Sequence, residues 1–191
     1  MEAFLVSTGI VALAEMGDKT QLLALVLAAR YRQPVPVALG ILAATLANHA
    51  LAAAAGAWVA AALGGAALRW VLGVSFLAMA AWTLIPDRPG DEAPRRGRLG
   101  AFGATLVAFF LVEMGDKTQL ATAALAARYA AIVPVVAGTT LGMLIADVPA
   151  VLLGERLLRR VPMKWLQRAA AALFALLGVS GLLFAPAAVT V

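Results

Sequence analysis

A polar octapeptide occurs twice in this chain, each time inside a long apolar stretch. Glu15-Met16-Gly17-Asp18-Lys19-Thr20-Gln21-Leu22 returns letter for letter as Glu113-Met114-Gly115-Asp116-Lys117-Thr118-Gln119-Leu120, at an offset of 98 residues (113 − 15). The same register pairs Leu27-Ala28-Ala29-Arg30-Tyr31 with Leu125-Ala126-Ala127-Arg128-Tyr129, Pro36 with Pro134, Gly40 with Gly138 and Gly56 with Gly154. Matches this dense at one register mark an internal duplication. The chain must therefore build one fold from two copies of one unit, each with charged residues at the same depth of apolar sequence.

The surrounding composition says which solvent that fold meets. Apolar residues make up 63% of the 191 and charged residues 13%, with a mean hydropathy of +0.94. Typical soluble domains hold about 45–50% apolar and about 25% charged residues. One core of this size cannot hide the excess from water, so the chain reads as an integral membrane protein. It has no cysteine, which removes disulfides, thiolate metal sites and thiol nucleophiles, and its single histidine excludes a multi-histidine metal cage. The net charge of +5 is read as loop anchoring in a bilayer, not as nucleic-acid binding. Met1-Glu2 lacks the positive start of a cleaved signal, so the first apolar segment is expected to be retained.

Crossing about 30 Å of hydrocarbon takes about 20 helical residues. Six stretches are long enough: Ala3–Ala29, Val35–Ala62, Ala66–Ile85, Leu99–Ala127, Ile132–Leu153 and Trp165–Phe184. The expected fold is an all-α membrane protein of six transmembrane helices in two three-helix repeats. Residues 1–85 form the first repeat, 86–98 a Pro-, Gly- and charge-rich linker, and 99–191 the second repeat. Three crossings is an odd number, so the second repeat enters the membrane inverted. Charge supports this. Arg30, Arg32, Arg88, Arg95, Arg96, Arg98, Arg156, Arg159, Arg160, Lys164 and Arg168 fall on one side, against only Arg69 and Arg128 on the other. The basic side is cytoplasmic, which puts the 86–98 linker there and both termini outside. Inverted repeats meeting near the midplane recur in secondary transporters.

Five acidic residues, Glu15, Asp18, Glu113, Asp116 and Asp147, lie within the apolar spans. An aspartate at mid-bilayer costs roughly 2.5–3.5 kcal/mol to insert, so such residues need partners or a polar cavity. Glu15 and Asp18 are three apart and share a helical face, as do Glu113 and Asp116. The first span, at about 27 residues, is too long for a straight untilted crossing. Gly17 marks a break, and Asp18 with Gln21 has the spacing of a capping box that starts a second half-helix. Each first helix is thus expected to be kinked or broken at the motif. Broken backbone at membrane depth is tolerated where it lines a cavity or ion site. The bland alternative is a pair of intrahelical bridges, Glu15–Lys19 and Glu113–Lys117, gluing the bundle.

If the inverted copies meet, four carboxylates converge with Thr20, Gln21, Thr118 and Gln119, while Lys19 and Lys117 offset the negative charge. Oxygen donors without thiolate or paired imidazole suit Mg²⁺, Ca²⁺ or Mn²⁺. Crowded, desolvated carboxyls favour holding protons until a cation displaces them, a sufficient basis for cation/proton exchange. Asp147 reads as a further ligand or proton carrier, with a buried hinge residue beside Pro149 as the alternative. His49, its counterpart in the first repeat, reads as a possible proton carrier or a packing residue. Met16 and Met114 read as core filling, and Gly138 with Gly142 as a close helix crossing.

The doubled Glu-Met-Gly-Asp-Lys-Thr resembles the Glu-x-Gly-Asp-(Lys/Arg)-(Thr/Ser) signature of the GDT-one family of cation transporters, over essentially the whole chain. The resemblance implies a divalent cation/proton antiporter that exports Mn²⁺, and in some members Ca²⁺, from the cytoplasm. It implies metal roles for Glu15, Asp18, Glu113 and Asp116, and suggests a bacterial inner-membrane manganese exporter. The expected partners are the metal ion and the lipid bilayer, with no nucleic acid and no cofactor beyond the transported ion and protons. The oligomeric state is open, a homodimer included. Two other classes compete: a passive divalent-cation channel and a membrane-embedded metal-dependent enzyme. The enzyme is disfavoured because the chain shows no nucleophile–base arrangement and no phosphate-binding loop.

Overall fold

The computed structural model describes residues 1–85, 99–154 and 163–183. The 86–98 linker with all four of its arginines, together with Arg156, Arg159 and Arg160, lies outside the described residues. All regular structure among those described is helical: α1 (Glu2–Glu15), α2 (Lys19–Tyr31), α3 (Pro34–Ala62), α4 (Gly65–Thr83), α5 (Gly100–Glu113), α6 (Lys117–Tyr129), α7 (Ile132–Leu153) and α8 (Met163–Leu183). The duplication is visible in these bounds, because α5 and α6 begin and end 98 residues after α1 and α2.

The octapeptide breaks each leading helix as expected. A helix ends at Glu15, and the next starts at Lys19. The same happens at Glu113 and Lys117. Gly17 and Gly115 carry φ of 86° and 81°, a region that a Cβ disfavours, so glycine lets the chain turn within three residues. Met16 and Met114 sit in that turn, Met16 partly exposed and Met114 55% exposed. They are not core filling, because the break lifts them out of the helical face that faces inward.

Among the described residues, four helices are long and apolar enough to cross a bilayer: α3, α4, α7 and α8. At 14 and 13 residues, α1 and α2 each fall short, and so do α5 and α6. The longest packing surfaces run between the repeats. α1 lies along α7, as α5 lies along α3. α6 lies on α3, as α2 lies on α7. α3 meets α7, and α4 meets α8, where the equivalent rings Phe76 and Phe174 stack with centroids 6.4 Å apart. In α3 and α7, 50% and 61% of the apolar window is buried, against 22% in α4 and in α8. The first pair is the centre and the second the periphery. Outward-facing apolar side chains such as Leu51, Trp58, Trp70, Leu111 and Trp165 give the bundle the surface of a lipid-embedded protein.

Small residues set the crossings. A Cβ at Gly138 would stand 2.5 Å from the Phe4 carbonyl oxygen, and one at Gly142 would stand 2.7 Å from that of Thr8. The GxxxG spacing therefore does seat α7 on α1. Its counterpart Gly40 seats α3 on α5 in the same way, against the Phe102 carbonyl at 2.8 Å. The tightest approach is at Gly56, where a Cβ would run into the Ala123 carbonyl oxygen of α6. We therefore expect Gly56→Ala to cost about 1–3 kcal/mol by forcing α3 from α6. Gly9→Ala, which meets nothing within 4 Å, should be close to neutral. Thermal unfolding of the purified protein in detergent checks both.

Candidate metal centre

The two breaks bring their polar residues to one place. Asp18 is the N-cap of α2 and Asp116 the N-cap of α6, each with extended backbone geometry. Asp18 Oδ1 accepts a hydrogen bond from the Lys19 backbone N–H at 2.8 Å. Carboxylates at these positions meet the positive ends of two helix dipoles. The capping box is modified in both copies. Gln21 Oε1 accepts from the Gly17 N–H at 3.0 Å, and Gln119 Oε1 from the Gly115 N–H at 2.6 Å, so each glutamine braces the glycine turn and not the N-cap itself.

The lysines cross between the repeats. Lys19 Nζ lies 3.3 Å from Asp116 Oδ1, and Lys117 Nζ lies 3.8 Å from Asp18 Oδ1. Each copy thus supplies the counter-charge for the aspartate of the other. The lysines reach beyond the bland pairing of Glu15 with Lys19 and Glu113 with Lys117, each to an aspartate of the other copy.

Glu15, Asp18 and Asp116 are all buried, and one carboxylate oxygen of each lies within 4.8 Å of the other two. Three carboxylates at that separation, taken from water, repel strongly, and a divalent cation among them relieves the repulsion. Glu15 Oε2 accepts a hydrogen bond from Thr20 Oγ1, while its Oε1 and Asp116 Oδ2 are buried with no hydrogen bond. Asp147, on α7, is fully buried within electrostatic reach of Glu15, Glu113 and Asp18, and neither of its oxygens has a hydrogen-bond partner. A buried carboxylate left this bare fits a coordination role better than a packing role. Gln21 completes the wall by donating through Nε2 to the Ala146 carbonyl at 2.8 Å.

Glu113 stands apart from this trio. Thr45 Oγ1 donates to its Oε1 at 3.0 Å and Asn48 Nδ2 to its Oε2 at 3.2 Å, both from α3. Thr45 and Asn48 were not among the sequence candidates. The available signal is a pair of polar residues three apart, on one face of a largely apolar stretch of helix. Thr118 is buried with its hydroxyl unpartnered, and Gln119 is half-buried. His49 is buried on α3 with neither ring nitrogen hydrogen-bonded.

Broken helices whose ends and polar side chains meet at a repeat interface are a recurrent way for secondary transporters to build ion sites at membrane depth. The family comparison agrees. Residues 3–91 and 101–188 each match the model of the divalent cation/proton antiporter GDT1, so the chain belongs to that family. It is also 50% identical, over 185 residues, to a protein of Vibrio cholerae serotype O1 named "Putative manganese exporter", covering 96% of this chain and 92% of that one. No solved structure matches.

The crossed pairs are unequal in exposure. The Lys19 side chain is 29% exposed and that of Lys117 only 4%. Their aspartates are equally buried, so removing either lysine takes an ion-pair partner from a buried carboxylate, at about 3 kcal/mol. Lys19→Met and Lys117→Met should therefore each lower the unfolding temperature, measured in detergent at neutral pH.

Proposed function

We propose that this protein exports a divalent cation, Mn²⁺ in the first place, from the cytoplasm in exchange for protons. The observation that carries the reading is the buried trio Glu15, Asp18 and Asp116, which draws on both repeats at once and is bridged by their crossed lysines. The proposed ligands are these three with Asp147, and Glu113, Thr20, Gln21, Thr118 and Gln119 lie around them. The donors are oxygen, which suits Mn²⁺, Ca²⁺ and Mg²⁺. The manganese in the name of the Vibrio relative favours Mn²⁺ here, and the family description favours proton coupling. The same carboxyls serve both ions, because a proton and a cation compete for one lone pair.

In this reading the broken pairs α1–α2 and α5–α6 each make one crossing, which with α3, α4, α7 and α8 gives six. Residues 1–85 and 99–191 act as inverted repeats joined by the 86–98 linker. The linker lies in the cytoplasm of a bacterial cell and both termini lie outside the inner membrane. The excess of arginine on the linker side supports that orientation. The chain has no cysteine, so a single cysteine introduced at residue 91 gives an unambiguous topology probe. Impermeant thiol reagents should label it in inside-out vesicles and leave it unlabelled in intact cells after outer-membrane permeabilisation. Labelling in the cells would reverse the orientation.

The function is tested by Mn²⁺ flux into proteoliposomes with and without an imposed pH gradient. Wild-type protein should drive Mn²⁺ uphill only when the gradient is present, and Asp18→Asn and Asp116→Asn should each lower the rate by at least about tenfold, the equivalent of about 1.4 kcal/mol. Downhill flux that ignores the gradient would make the protein a channel. Unchanged gradient-driven flux in both folded variants would make the trio structural.

A further inference from the structure

Equivalent residues of the two repeats stand in unequal surroundings at the acidic centre. Glu15 is inside the trio with Asp18 and Asp116 and is held by Thr20. Glu113, its counterpart, is outside the trio and held on α3 by Thr45 and Asn48. Thr118 follows Glu113 by five residues, as Thr20 follows Glu15, and its buried hydroxyl has no hydrogen bond. A buried hydroxyl without a partner calls for an explanation, and here the missing partner is defined by the other repeat. It is the carboxylate of Glu113.

We propose that the two glutamates alternate as the third carboxylate of the cation site. Glu15 joins Asp18 and Asp116 in the conformation described here. In the conformation open to the other side of the membrane, Glu113 leaves Thr45 and Asn48, takes the hydroxyl of Thr118 and joins the same two aspartates, while Glu15 withdraws. The inference deepens the transport reading above and rests on it. The aspartates can serve in both states because the crossed lysines tie each to the opposite repeat, Lys19 to Asp116 and Lys117 to Asp18. The swap keeps the number of carboxylates on the ion constant through the cycle, and the ion is never gripped by all four. A transported ion has to leave as readily as it enters.

The exchange is not symmetric in cost. The positions equivalent to Thr45 and Asn48 are Met143 and Ala146, whose side chains donate no hydrogen bond. A withdrawn Glu113 is held by two donors, whereas a withdrawn Glu15 meets none from those positions. The described conformation is the better satisfied of the two.

The test uses the full chain in right-side-out and inside-out vesicles, with Mn²⁺ as the probe. The KM for Mn²⁺ is read from each side for wild type, Glu15→Gln, Glu113→Gln, Thr20→Val and Thr118→Val. Alternation predicts that Glu15→Gln raises KM about tenfold from one side and less than twofold from the other, and that Glu113→Gln does the reverse. Thr20→Val should follow the side of Glu15→Gln, and Thr118→Val that of Glu113→Gln. The Thr118 hydroxyl makes no hydrogen bond in the described conformation, so its removal in Thr118→Val leaves that state's fold intact. Losses of equal size from both sides in each variant would overturn the alternation and mean that both glutamates hold the ion together. Losses from the same side in both glutamate variants would overturn it as well. No Mn²⁺ uptake by the wild type from either side would instead overturn the transport reading beneath it.

Discussion

The crossed pairing of lysine and aspartate is the constraint on which the rest of this structure turns. A lysine four residues from a glutamate could neutralise its own repeat, and the bundle would then need no second copy. Here Lys19 reaches Asp116 and Lys117 reaches Asp18. Neither repeat can bury its charges alone, so the two must meet at the octapeptides, in one register. The backbone accommodates that demand. Gly17 and Gly115 turn the chain at positive φ, the glutamines cap those glycines, and the aspartates start new helices at the meeting point. Broken helices are expensive in hydrocarbon, and the cost is offset where the freed amides and the helix ends have polar work at the same spot.

Close helix approach is what brings charge to charge at that depth. Gly40 and Gly138 put α3 on α5 and α7 on α1, backbone against side chain and carbonyl, and Gly56 puts α3 on α6. These crossings bury α3 and α7 at the centre, and those two helices carry the residues that face the breaks: Thr45 and Asn48 on one, Asp147 on the other. The peripheral helices α4 and α8 pack on each other through Phe76 and Phe174 and carry none of the acidic residues of the centre. The membrane-facing frame and the polar centre are thus built by different helices.

Much of this was legible in the chain itself. The repeat, the break at Gly17 and Gly115 and the membrane class follow from identity at one register and from hydropathy, both of which are local properties. Membership of the cation/proton antiporter family follows from the doubled motif and is borne out over both halves. The partners within the centre were not legible. Spacing puts Lys19 near Glu15 on a continuous helix, but the turn at Gly17 ends that helix, so the i,i+4 geometry no longer applies. The convergence of four equivalent carboxylates was read from symmetry of the motif, and the described structure brings three together while Thr45 and Asn48 hold Glu113 aside. Those two residues lie outside the octapeptide, and only the packing of α3 on α5 gives them their meaning.

The repeats have kept one backbone and diverged in its lining. The bounds of α1–α2 and α5–α6 coincide at the repeat offset, whereas Thr45, Asn48 and His49 in the first copy answer to Met143, Ala146 and Asp147 in the second. Two copies of one backbone plan could exchange places in two equivalent arrangements, and identical linings would make those equal in energy. Unequal linings separate them. The first copy supplies hydrogen-bond donors to a carboxylate, and the second supplies one more carboxylate, fully buried and unpartnered. Donors stabilise a bare anion, whereas an extra carboxylate destabilises one unless a cation is present. Occupancy by a cation thereby changes the energy of one half-site more than the other, which is the condition for an ion to shift a conformational equilibrium at all. In the alternation proposed above, the duplication would provide the two states, and the substitutions at these three positions would make the balance between them respond to the ion.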